Sequence, residues 1–127
     1  MASYADIVEI VAPGEAADGS RVDITVSIKN KYSSTIGIMV GGALEYGVTP
    51  WPGISFPNNT ANISGGVTHS FNGYFTMPGS NVRIHAYSYY YGDDGYWHFD
   101  DEEVINVGLA EMESEFGNIE IISYARR

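Results

Sequence analysis

The chain has 127 residues, 16 acidic against 6 basic, a formal net charge of −10, and no cysteine. That charge argues against nucleic acid, whose phosphates need Lys and Arg to neutralise them, and against insertion at an anionic membrane surface. The lack of cysteine excludes a disulfide framework, a thiolate metal site and a cysteine nucleophile. No apolar run reaches the ~18 residues of a membrane-spanning helix.

A chain of this length is expected to be one domain, residues 1–127, with a single sizeable core. Its 15 glycines, 10 tyrosines and frequent Val, Ile and Thr indicate an all-β protein with many turns. The opening, MASYADIVEIVAPGE, has no positive segment followed by an apolar one, so it does not read as a secretory signal. The expectation is a protein assembled in the cytoplasm, or a mature or excised form.

Residues 4–11 read as a first strand ended by Ala12-Pro13-Gly14, followed by a small polar loop over 15–20. Residues 21–29 alternate strictly, with Val22, Ile24, Val26 and Ile28 on one face, the period of a strand with one buried side. After a turn at 30–35, residues 36–40 form a third strand, and Gly41-Gly42 are expected to interrupt it as a bulge before it continues over 43–46. Pro50, Pro52 and Pro57 limit residues 46–66 to an edge strand or loop, with Trp51 and Phe56 pinning it to the core. Two sequons lie there, Asn58-Asn59-Thr60 and Asn62-Ile63-Ser64, which matter only in a secreted protein of the right host.

Residues 67–77 alternate again and place His69 on the apolar face with Phe71, Phe75 and Met77. Residues 81–109, NVRIHAYSYYYGDDGYWHFDDEEVINVGL, read as one long hairpin turning on Asp94-Gly95. Residues 109–117 are expected to be an acidic connector, and 118–127 an extra C-terminal strand with a basic tail. Seven or eight short strands at this spacing imply a sandwich of two antiparallel sheets.

A two-residue loop at Asp94-Gly95 pairs residues whose numbers sum to 189, so that Val82 faces Val107 and Ile84 faces Ile105. Carried to the tip, this register sets Tyr90 against Phe99 on the core face, above a rim holding Asp101 and Glu103. On the other face His85, Tyr87, Tyr89 and Tyr91 stand opposite Val104, Glu102, Asp100 and His98, an aromatic row alternating with acids.

Asp101 and Glu103 share a strand face and are the candidate pair for a Ca²⁺, a hard cation that takes six to eight oxygens. The competing reading is a solvated acidic edge that discourages aggregation. Tyr87, Tyr89, Tyr91, Trp97, His85 and His98 are the candidate interface or glycan-binding residues, since Tyr and Trp combine contact area with a polar handle. Ordinary cross-strand packing is the alternative for some of these rings. Catalysis finds little support. There are three histidines, no G-x-S-x-G elbow, and no glycine-rich phosphate loop leading into a helix.

Ile10-Val11-Ala12-Pro13, with the strand Gly19 to Asn30, resembles the opening of immunoglobulin-like adhesion and surface modules of bacteria and archaea. Phe75-Thr76-Met77-Pro78 with Val82-Arg83-Ile84-His85-Ala86 resembles the F-x-M-P…V-x-V-x-A ending of bacterial surface repeats, and such modules also look common in phage structural proteins. The resemblance implies an immunoglobulin-like β-sandwich without catalytic activity, serving adhesion, spacing or assembly in a virion or at a cell surface. It carries over no functional residues. The expected role is therefore a structural or interaction subunit that binds a protein partner or self-assembles through the Tyr-rich hairpin. The similar terminal segments 5–11 and 118–122 also suggest strand addition between subunits. A carbohydrate-binding module, Ca²⁺-stabilised or not, is the alternative.

Overall fold

A computed structural model describes residues 2–110, so the expected connector from 111 on and the last strand and tail, 118–127, lie outside the described residues. Among the described residues there are eight strands in two sheets and no helix. The strands are β1 (Ala5–Val11), β2 (Glu15–Ala16), β3 (Arg21–Asn30), β4 (Ile36–Glu45), β5 (Thr60–Ile63), β6 (Thr68–Thr76), β7 (Val82–Tyr91) and β8 (Trp97–Leu109). One sheet has the order β1-β3-β6 and the other β2-β8-β7-β4-β5. All pairings are antiparallel except the short β2–β8 ladder.

Alternation within the strands builds the core between the sheets. Val22, Ile24, Val26 and Ile28 of β3 are buried as their period requires, and they share one cluster with Phe71 and Phe75 of β6. Ile38, Val40 and Leu44 of β4, Ile84 of β7 and Val107 of β8 complete it from the other sheet. Each fully buried aliphatic side chain of this kind contributes about 1.5–3 kcal/mol.

Three local expectations are corrected. The Gly41-Gly42 pair makes no bulge, because β4 pairs with β7 in one unbroken register from Ile38–Tyr90 to Glu45–Arg83. Gly42 serves close packing instead, since a Cβ there would lie 2.9 Å from the Ile54 side chain. His69 is exposed at the end of its strand, edge-on to Phe71, and is no core histidine. In the proline-rich segment Ile54 and Phe56 pack on the core, as expected of Phe56, but Trp51 lies on the opposite, outward face of the second sheet.

The hairpin departs from its expected register near the tip. From Val82–Val107 to Ser88–Asp101 the pairs sum to 189, but Tyr89–Phe99, Tyr90–His98 and Tyr91–Trp97 sum to 188. The turn explains the difference. It is a three-residue loop over 93–95, in which Gly95 N–H donates to the Gly92 carbonyl and Gly92 N–H to the Tyr96 carbonyl. Gly95 takes the left-handed conformation at φ 82° that ends such a turn. A two-residue loop at the base register and a three-residue loop at the tip are reconciled by one extra residue, Asp100, which forms a β-bulge.

Candidate functional site: an aromatic outer face

The bulge changes which side chains face outward. Beyond it, Phe99 stands opposite Tyr89 and Trp97 opposite Tyr91 on the outer face of the second sheet, where an unbroken ladder would have put Asp100 and His98. The Phe99 ring packs edge-on against both Tyr87 and Tyr89, with centroids 6.1 and 5.9 Å apart, and Trp97 does the same to Tyr91 at 5.2 Å. Phe99 is 57 % exposed and Tyr91 48 %, so these rings form a surface rather than a second core. Along β4 the outward positions beside the rings are Gly37, Met39 and Gly41. Gly41 pairs with Tyr87 and Met39 with Tyr89, while a Cβ on Gly37 would touch Tyr91 and the Trp97 ring. The two glycines leave the rings room on either side of Met39.

At the far end of this face His85 is buried between two carboxylates. Its Nδ1 lies 2.7 Å from Glu102 and its Nε2 2.8 Å from Glu45, with Trp51 stacked on the ring at a 4.5 Å centroid distance. Burial pulls the imidazolium down. The hydrogen bonds to Glu45 and Glu102, with their charges, outweigh it and leave the His85 pKa above its ordinary value. Both ring nitrogens are engaged, which suits a charged structural bridge. Tyr87 is pushed up by burial first and then by the Glu102 charge, so its hydroxyl stays neutral.

The extruded acid has its own partners. Asp100 accepts hydrogen bonds from the backbone amides of Ser3, Tyr4 and Ala5 at 2.6–2.8 Å. Asp101 is buried and accepts from Ile7 at 3.0 Å and from Glu102 at 2.9 Å. Ser88, opposite Asp101, donates to the Ala5 carbonyl at 2.6 Å. β1 is the edge of its sheet, and these groups of the other sheet satisfy amides that would otherwise lack partners. Of the two residues proposed for Ca²⁺, Asp101 is thus engaged through both oxygens and Glu103 is exposed. Among the described residues no group of three or more His, Asp or Glu side chains is arranged to hold a metal ion.

Five of the six side chains proposed for an interface, Tyr87, Tyr89, Tyr91, Trp97 and His85, do share the outer face. His98 does not. It pairs with Tyr90 on the other side of the tip, stacks on that ring at 5.2 Å and contacts Asp94 at 2.9 Å. That contact is the main cause of a lowered Asp94 pKa, with the Tyr96 amide second. Sequence reasoning missed Phe99, Met39, Glu45 and Trp51. The only trace of the bulge in the sequence is the run Asp100 to Glu103, where apolar alternation lapses.

These features define an all-β domain of two sheets with an outward aromatic surface. No family model matches the sequence, and no curated protein matches it significantly. Among solved structures the chain is similar to Spo0M, a sporulation control protein from Bacillus subtilis, at 14% identity and a TM-score of 0.57. The match covers 87% of this chain and 51% of that one, so the chain spans about half the length of that protein. The likeness is one of fold.

Proposed function

We propose that this chain is an immunoglobulin-like β-sandwich module acting as a non-catalytic interaction subunit of a larger assembly, a phage particle or an extracellular surface structure. Its outer aromatic face is the contact with a protein partner. One observation carries this reading: the bulge at Asp100 sets Phe99 and Trp97, in place of Asp100 and His98, beside the tyrosine row, making a contiguous exposed aromatic patch. Aromatic residues are the usual energetic anchors of protein interfaces. The flanking Glu102 and the chain's charge of −10 favour a partner with a basic rim around an apolar centre.

Co-expression with the products of adjoining genes, followed by affinity measurement, tests this. Replacing Phe99→Ser and Trp97→Ser together should weaken the complex by about thirtyfold or more, the effect of losing one hot spot of ~2 kcal/mol. A partner that binds both forms equally, or no binding by any adjoining product, would contradict the proposal. A second reading, a carbohydrate-binding module, is favoured by a cleft of about 410 Å³ beside the rings, lined by Gly37, Thr60, Ala61, Asn62, Tyr91 and Trp97. There an aromatic wall meets neutral hydrogen-bonding groups, as a sugar ring requires. Saturable binding on a glycan array that is lost in Trp97→Ala would select it, and silence across neutral and charged glycans would remove it.

A further inference from the structure

We propose that the end of the sandwich beside the hairpin turn holds a binding site for an alkylated ammonium group. It lies round the tip from the outer face and shares Tyr91 with it. A cavity of about 330 Å³ lies there, walled by Tyr4, Tyr32, Tyr90, Tyr91 and Ile36, with Asp93, Asp94 and the Asp94-bound His98 of the hairpin tip on its lining. That volume is at the lower end of the ~300–1,000 Å³ typical of small-molecule sites. The Tyr4 ring lies between two others at steep angles, 84° to Tyr32 at 5.3 Å and 74° to Tyr90 at 4.7 Å. Rings set on different planes around a cavity, with carboxylates beside them, form the geometry that attracts a cation to aromatic faces.

The rings come from three separate segments, and each is held in place. The amide of Tyr4 donates to Asp100 at 2.8 Å, and the amide of Tyr32 to the buried Asn30 side chain at 2.8 Å. Tyr90 is fixed in the β7–β8 ladder and stacked on His98. The backbone that carries each ring is therefore fixed before a ligand arrives, which lowers the ordering cost of binding.

Charge and hydrogen-bonding capacity select the ligand. Among the described residues Asp93 has no hydrogen-bond or ion-pair partner, while Asp94 is occupied by His98 and the Tyr96 amide. Lys31 adjoins Tyr32 in sequence, but its ammonium is on the Ala2 carbonyl, and it does not line the cavity. One free carboxylate and several ring faces suit a weakly hydrated cation without N–H donors better than a primary amine, which needs several acceptors. The group is a trimethylammonium or its close analogue, carried by a small molecule or by a methylated lysine side chain.

Calorimetric titration of the full chain with choline, with a trimethyllysine peptide and with 3,3-dimethyl-1-butanol, the neutral isostere of choline, tests this. At least one ammonium ligand should bind saturably and about tenfold or more tighter than the alcohol, the ratio expected of a cation–π cage. Whichever of choline and the peptide binds tighter identifies the source. Tyr32→Ala should abolish most of that preference, and Asp93→Asn should reduce it several-fold, each with native circular dichroism. Failure of both ammonium ligands to bind, equal binding of the alcohol, or undiminished binding by both folded variants would overturn the proposal.

Discussion

His85 shows how a polar residue is accommodated on a buried position of a strand. Both its nitrogens meet carboxylates, Glu45 and Glu102, and Trp51 closes over the ring. Because its folded pKa is raised above the ordinary 6.5, the native state binds this proton more tightly than the unfolded chain does. Its contribution to stability is full below about pH 6.5 and is lost as pH rises through the higher folded value. Denaturant midpoints measured across that range should fall with pH in the wild type and flatten in His85→Gln. An equal slope in both would assign the pH dependence to other groups. Asp101 is the second such residue. Asp101→Ala leaves the Ile7 amide without its acceptor and should cost about 1.5–3 kcal/mol in urea denaturation, as loss of a hydrogen bond to a charged group does.

The β7–β8 hairpin has two halves in different registers. Its lower half was legible in the sequence, because Val82, Ile84, Ile105 and Val107 meet on one face only in the register that pairs them. Its upper half was not. Asp94-Gly95 signals a turn, but both a two-residue and a three-residue loop accept these residues, and the two differ by one position in register. Alternation could not choose, since Tyr89, Tyr90 and Tyr91 suit either face and residues 100–103 are all acidic. Strands β3 and β6 were clearer, their apolar residues sitting at every second position. Trp51 was hidden for another reason, as no periodicity places a ring in a proline-rich segment. Deleting Asp100 should remove the bulge yet keep Phe99 opposite Tyr89, because residues 99 and 101 then follow one another in a regular ladder. Hydrogen exchange should accelerate at Ser3, Tyr4 and Ala5, which lose their acceptor, while the hairpin amides keep their protection. Faster exchange throughout the hairpin would show that the bulge is needed for its register.

At the scale of the whole molecule, residues 50–57 tie the two sheets together along one side. Gly53 bridges to Ala43 of β4 and Ser55 to Tyr74 of β6, with Ile54 inserted in the core between them. Phe56 seats directly on Gly73, where a Cβ would lie 2.6 Å from the ring and 2.8 Å from the Ser55 carbonyl. Gly73→Ala should therefore cost about 1–3 kcal/mol, the penalty of overpacking where backbone cannot yield, read as a lower thermal midpoint. A midpoint unchanged from wild type would mean that this side of the sandwich is loosely closed. On the opposite side, Asp100, Asp101 and Ser88 of the second sheet hold β1 of the first.

With both sides joined in this way, the outer aromatic face is a fixed surface whose composition depends on one bulge. Nuclear Overhauser contacts of the Phe99 ring test that claim most directly. Contacts to the Tyr87 and Tyr89 rings are predicted, with Trp97 to Tyr91 beside them. Contacts from Phe99 to Tyr90, with none to Tyr89, would mean that the ladder runs unbroken to the tip and that the outer face is tyrosine alternating with acid.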